Sequence, residues 1–310
     1  MPTATERLLL RLEWRVLRRL EGRVQGGHRT AHRGTGVDFA GLRPYTVGDD
    51  ARHIDWNVTA RHGEPQVRVF LEDRELTVWL VLDRSASMGG PEQPVGPGGT
   101  EGRRKADVLA ELALALARLF GRGGNRVGAL LYDEGATRVV PPGTGRTHAL
   151  RIGTELGRPR PARLGATTDL AAMIDRIGGI ARRRSLVVVV SDFIGTGDWP
   201  SALLRLTLRH EVVALRVTDA ADGELPAAGL IVVEDAETGE QLIVDSSDPV
   251  FRAGFHAGAR ERDRELDAGM RRAGVIAHRI DTERDVGRAL VEVVAATHRP
   301  RASRLERSRA

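Results

Sequence analysis

From Thr77 to Ala296 the chain alternates between two hydrophobic patterns. Short, nearly continuous aliphatic runs of strand length are separated by longer stretches in which apolar residues return every third or fourth position. The runs are Thr77 to Asp83, NRVGALLYD ending at Asp133, Ser185 to Asp192, EVVALRV and VIAHRI. The helical stretches begin with Arg103 to Phe120, which carries Leu109, Leu112, Leu116 and Leu119 on one face. A second is capped by Thr168 or Asp169 and turns Leu170, Met173, Ile174 and Ile177 inward. Three more run from about Pro200 to Leu208, Val250 to Arg272 and Glu283 to Ala296. A short strand near Thr137 to Val140 is expected beside the one ending at Asp133, and Leu230 to Val244 reads as a hairpin around AETGEQ. Aliphatic strands alternating with amphipathic helices predict an α/β fold, a doubly wound, mostly parallel sheet covered on both faces.

The residues before this series differ in kind. Glu6 to Leu20 places Leu9, Leu12, Val16 and Leu20 at helical spacing with arginines opposite, a helix that either packs on the domain or lies on a membrane surface. Gly22 to Glu75 is rich in Gly, Arg and Asp with short β-like pieces such as PQVRVF, and reads as an irregular, β-containing extension. The expected organisation is an N-terminal amphipathic helix at 1–21, a polar extension at 22–76, an α/β domain at 77–297 with a hairpin insertion at 230–245, and a basic, disordered tail at 298–310.

Composition narrows the function classes. The 310 residues can bury a substantial core. The formal charge is +5, but Arg299 to Arg309 holds five arginines against one glutamate, a net +4, so the remainder is nearly neutral and carries no nucleic-acid signature. A basic tail of this kind is a solvated segment before it is a specific binding site. Cysteine is absent, which rules out disulfides and thiolate chemistry and fits a reducing compartment. LLLRLEWRVLRRL is broken by arginines and does not resemble a signal peptide, and no stretch approaches the ~20 apolar residues of a membrane span. The expected location is cytoplasmic.

The chemistry lies at two strand ends. Thr77 to Ser87 reads TVWLVLDRSAS, an apolar strand ending in Asp83 followed by Ser85 and Ser87, and the run from Ser185 ends in the same way at Asp192. Open α/β sheets place ligands at the carboxyl ends of their strands. Two aspartates and two hydroxyls there describe an oxygen-only pocket for a hard divalent cation, Mg2+, Mn2+ or Ca2+. GATTDL offers a further hydroxyl before a helix, from Thr167 or Thr168, and Thr168 directly precedes the helix. The alternative is that the two aspartates cap local turns and the serines bond to nearby backbone.

Asp83, Ser85, Ser87, Thr168 and Asp192 together resemble the metal-ion-dependent adhesion site of von Willebrand factor type A domains. That resemblance implies an ion whose open position is completed by a partner's acidic side chain, in a site that binds and does not catalyse. The segment from Arg33 to Leu76, RGTGVDFAGLRPYTVGDDARHIDWNVTARHGEPQVRVFLEDREL, closely resembles the hallmark of the bacterial "domain of unknown function 58" family. Members join such a segment to a type A domain and are typically encoded beside MoxR-class AAA+ ATPases, so the resemblance implies an adaptor whose partner is such an ATPase or its client. Within the segment, Asp49, Asp50 and Asp55 are interleaved with Arg43, Arg52, Arg61 and Arg68 around Tyr45, Trp56 and Phe70. These form either an internal ion-pair lattice with a small aromatic core or a docking face that uses Arg52, Asp55, Trp56 and Arg61.

Enzyme readings fare less well. Haloacid-dehalogenase phosphatases also use strand-end aspartates, but need a second carboxylate two residues after the nucleophile, where this chain has Ser85. The loop from Gly89 to Gly102 is glycine-rich without G-K-[ST], so it does not cradle phosphate. His28 and His32 are spaced H-x-x-x-H but fall in the Gly- and Arg-rich extension, and the histidines show no such pair on an expected helix for zinc.

Overall fold

The computed structural model describes residues 38–47, 49–71, 76–89, 103–122, 124–133, 136–159, 167–234 and 240–297. The helix expected at Glu6 to Leu20, most of the Gly/Pro loop and the basic tail lie outside these residues. The chain divides into two compact units, with Glu21–Glu75 forming one and the long segment from Leu76 onward belonging to the other.

The smaller unit is more regular than its composition suggests. Strand β1 (Asp38–Pro44) pairs antiparallel with β2 (Gln66–Leu71), and between them lie a 3-10 turn at Ala51–His53 and helix α1 (Trp56–His62). Asp49, Asp50 and Asp55 are each engaged in this local structure. Asp50 caps the turn by accepting from the Arg52 amide, and Asp55 caps α1 by accepting from the amides of Asn57 and Val58. Arg43 pairs with Asp49 at 2.6 Å and Arg68 with Asp55 at 2.9 Å. Helix α1 has no apolar stripe; Asp55 at one end and Gly63, at φ 73°, at the other define it.

The larger unit starts with β3 (Thr77–Asp83), a single turn α2 (Ala86–Gly89), α3 (Lys105–Arg122), β4 (Arg126–Asp133) and β5 (Ala136–Gly143). It continues through α4 (Gly145–Leu156), α5 (Leu170–Ile180), β6 (Leu186–Ser191), α6 (Trp199–Arg209) and β7 (Glu211–Thr218). The hairpin β8 (Leu230–Glu234) and β9 (Gln241–Asp245), helix α7 (Pro249–Ala273), β10 (Ala277–Asp281) and α8 (Val286–Thr297) complete it.

Strands β10, β7, β6, β3, β4 and β5 form one mixed sheet in that order. All neighbours run parallel except β5, which is antiparallel at the edge, where Pro141 and Pro142 are tolerated because one side needs no ladder partner. Both faces are covered. Leu80 and Leu82 of β3 join Leu112 of α3, Ile152 of α4 and Leu290 of α8 on one side. Trp79 and Val81 join Ile174 of α5, Leu203 of α6 and Met270 of α7 on the other. This double burial is why β3 reads as an unbroken aliphatic run: strand side chains alternate faces and both faces are dry. Each such aliphatic side chain contributes roughly 1.5–3 kcal/mol by leaving water.

The sequence pattern missed helix α4. Its segment, GRTHALRIGTEL, contains two glycines and leaves Leu150 half-exposed, so only Ala149 and Ile152 are buried and the apolar stripe is too thin to read. The inward face of α3 also differs in detail, with Phe120 buried where Leu119 is only half-buried.

Topology positions the candidate rim. From β3 the chain moves to β4 on one side, then returns to lay β6 against the other side of β3. The carboxyl ends of β3 and β6 therefore flank the point where strand order reverses, where open α/β sheets form a ligand crevice.

Candidate metal centre

Asp83 closes β3 and is fully buried. Its Oδ1 accepts from the Ser85 amide at 2.9 Å, an Asx-type turn that folds the serines back over the strand end. Its Oδ2 accepts from the Ser191 hydroxyl of neighbouring β6 at 2.6 Å, and Ser191 Oγ in turn accepts from the Phe193 amide at 2.8 Å. Ser85 Oγ and Ser87 Oγ lie 3.0 Å apart. Three of the residues picked out by the strand-end motif are thus one local constellation.

Asp192 follows Ser191 directly and is 1 % exposed. Its Oδ1 accepts from the Ile194 amide at 3.0 Å, and Arg216 Nε donates to its backbone carbonyl at 3.2 Å. Phe193 turns the chain with φ 58°, unusual for a side chain of this size, and packs on Trp199 with ring centroids 5.8 Å apart. Such a residue costs on the order of 1–3 kcal/mol, and strain of this kind persists where surrounding packing over-determines the backbone.

Thr168 is tied to the loop that follows β6 and Asp192. The Thr196 amide donates to the Thr168 carbonyl at 2.8 Å, and Asp169 bridges Thr196 in parallel fashion. A Cβ on Gly195 would lie 2.5 Å from that carbonyl, so only glycine allows the two loops this approach. Asp169, rather than Thr168, caps α5 by accepting from the Ala172 amide. Thr168 is fully buried, and its Oγ1 has no hydrogen-bond partner among the described residues; Thr167 is exposed. An orphaned buried hydroxyl costs free energy unless something else binds it.

The electrostatics of the rim are frustrated. Burial, reinforced by the nearby Asp192 charge, pushes the Asp83 carboxyl up to about 7, against the opposing hydrogen bonds from Ser191 and Ser85. A cation is already present: Lys105 Nζ, on the first residue of α3, contacts Asp192 Oδ2 at 3.2 Å and Asp222 Oδ1 at 2.7 Å. Burial works against this ammonium, but Asp192 and Asp222 outweigh it and hold it above the ordinary lysine value. Asp222 lies in the 3-10 turn after β7, where its Oδ2 accepts from the Asp219 amide at 2.9 Å.

Among the described residues no group of three or more His, Cys, Asp or Glu side chains could hold a metal ion. Any ion here must rely on hydroxyls beside the two carboxylates. The oxygens on offer are of the kind a hard cation takes: the Ser85 and Ser87 hydroxyls, the unsatisfied Thr168 hydroxyl, and the Asp83 carboxyl, whose ionised form is disfavoured by burial and the Asp192 charge.

Sequence reasoning did not identify Ser191, Lys105, Asp222 or Arg216. Ser191 is signalled only as the hydroxyl just before a strand-end aspartate, and Lys105 only as the sole lysine among 47 basic residues. In the smaller unit the four residues considered for docking separate into two kinds. Asp55 is occupied as the α1 cap and the partner of Arg68, whereas Trp56 is 66 % exposed and Arg52 and Arg61 are exposed without an ion pair among the described residues. Tyr45 and Trp56 therefore do not form a closed aromatic core.

Residues 41–265 match the family described as Protein of unknown function DUF58. The chain is 36 % identical over 288 residues, covering 93 % of it and 88 % of the relative, to Uncharacterized protein Rv1480 of Mycobacterium tuberculosis. It is 32 % identical over 162 residues to Uncharacterized protein MAV169 of Mycobacterium avium, covering 52 % of this chain and 94 % of that one. Among solved structures it is similar to the conserved hypothetical protein BatB from Bacteroides thetaiotaomicron, with a TM-score of 0.43 and 16 % identity over 71 % of this chain and 98 % of that one.

Proposed function

Because this chain belongs to the DUF58 family, whose description assigns no activity, we propose its function from its own rim: it binds a partner protein through a divalent ion, in the manner of a von Willebrand factor type A domain. The observation that carries this reading is the fully buried, unsatisfied Thr168 hydroxyl, held by the Thr196 and Gly195 contacts in the loop that follows Asp192. A hydroxyl so placed is a cost to the fold on its own and a ligand when a cation is supplied.

In this reading Ser85, Ser87 and Thr168 contact the ion, with Asp83 and Asp192 in direct or water-mediated support. The ion is Mg2+, or Mn2+ or Ca2+. When bound, it supplies a positive charge with a coordination position open to an acidic side chain from outside. The protein's own groups set the oxygens in place: Ser191 and the Ser85 amide orient Asp83, and the Ile194 amide orients Asp192. No nucleophile or general base is invoked, and the protein acts as a non-catalytic adaptor in the cytoplasm. Its partner is a MoxR-class AAA+ ATPase or that ATPase's client. No helix among the described residues is long and apolar enough to cross a membrane.

Capture of partners from native lysate, with magnesium or with EDTA, tests the reading. Recovery should require the ion and be abolished by the charge-neutral Asp83→Asn substitution. Equal recovery in EDTA refutes ion gating. One observation favours a second reading, a scaffold with a vestigial ion site that binds through residues 33–76: Trp56 is exposed on a capped helix near two exposed arginines. Under it, Asp83→Asn leaves capture intact and Trp56→Ala removes it.

A further inference from the structure

Lys105 sits where an ammonium is least expected. It opens α3, the end of a helix whose dipole favours anions, and its side chain is 8 % exposed. It is also the only lysine in a chain with 47 basic residues. The compact ammonium fits between Asp192 Oδ2 and Asp222 Oδ1, which come from the loops after β6 and β7. A guanidinium keeps the charge but is larger and presents its donors in a fixed planar fork.

We propose that Lys105 sets the charge of the rim and thereby lowers its own affinity for the divalent ion, a role that rests on the metal reading above. Asp83 and Asp192 contribute −2 when ionised, and Lys105 brings this to −1. With a divalent cation added the same three groups and the ion total +1, and about zero once Asp222 is counted, so an incoming carboxylate no longer meets a net negative site. Asp222 also holds Lys105 and, being more exposed than Asp192, is better screened by solvent. The ion is therefore held weakly by the bare protein and firmly only when an outside carboxylate joins it.

Mn2+ titrated calorimetrically into the full chain tests this, with far-UV circular dichroism confirming the fold of each variant. Lys105→Met is expected to bind Mn2+ on the order of tenfold tighter, since it removes a positive charge close to the ion. Lys105→Arg should stay nearer to the wild type. Asp222→Asn, which removes a negative charge from the same cluster, should bind severalfold more weakly, and it carries the test if Lys105→Met does not fold. A purely structural lysine predicts the opposite sign, because losing it would loosen Asp192 and weaken binding. Wild-type binding with Lys105→Met unchanged or weaker overturns this inference alone. If neither the wild type nor Lys105→Met binds Mn2+, the metal reading and this inference both fall.

Discussion

Ser191 donates its hydroxyl to Asp83 across 2.6 Å, joining the ends of two adjacent strands whose residues stand 108 positions apart in the chain. The same oxygen accepts from the Phe193 amide that begins the strained turn beyond Asp192. Ser191→Ala removes a donor from a buried carboxyl and an acceptor from a buried amide, so it should destabilise the metal-free protein by about 1–3 kcal/mol. Urea unfolding in EDTA measures this, and a neutral result would show that the strand ends do not depend on the bond.

Asp83 also makes stability depend on pH. Its carboxyl is raised from 3.8 to about 7 on folding, so between these values the folded chain holds a proton that the unfolded chain has released. Stability therefore falls as pH rises through that window and this contribution is lowest above it. In EDTA, the melting temperature of the wild type should drop between about pH 5 and pH 8 relative to Asp83→Asn. Magnesium favours the ionised form and should flatten the difference; an identical pH profile for both proteins, with or without the ion, contradicts the assignment.

Thr168→Val replaces an unsatisfied hydroxyl by a methyl group of similar shape. In EDTA it should be neutral or stabilising by up to about 1 kcal/mol, because no existing hydrogen bond is lost. Its melting temperature should respond much less to magnesium than that of the wild type, whereas Thr167→Val, at an exposed position, should respond normally. Thermal melts with and without magnesium decide the matter, and an undiminished response in Thr168→Val removes it from the ligand set.

The smaller unit separates support from docking by two substitutions. Asp55→Ala removes the α1 cap and the Arg68 partner, so amide exchange across Trp56–His62 should accelerate. Trp56→Ala changes an exposed side chain and should leave those exchange rates unchanged. Loss of partner capture in Trp56→Ala with normal exchange would assign α1 to an interface.

Most elements of the larger unit are legible as hydrophobic periodicity, because a strand buried on both faces must be aliphatic throughout and a covering helix must be apolar on one side. Strands β3, β6 and β7 and helices α5 and α7 appear within a residue or two of their expected bounds. Helix α4 was not legible, since its buried face is only Ala149 and Ile152. Helix α1 was not, because capping by Asp55 and Gly63 leaves no periodic trace.

The candidate site divides along the same line. Placing Asp83, Ser85 and Ser87 together needs only a strand end and the turn that follows, both local properties of TVWLVLDRSAS, and the sequence alone determined that cluster. That Ser191 meets Asp83, that Lys105 reaches Asp192 and Asp222 across 87 and 117 residues, and that the Thr168 hydroxyl is buried without a partner were decided by tertiary structure. Those contacts depend on strand order, with β6 laid against β3 rather than outside β4, and order is set by how both faces of the whole sheet are buried at once, which no local window of residues encodes.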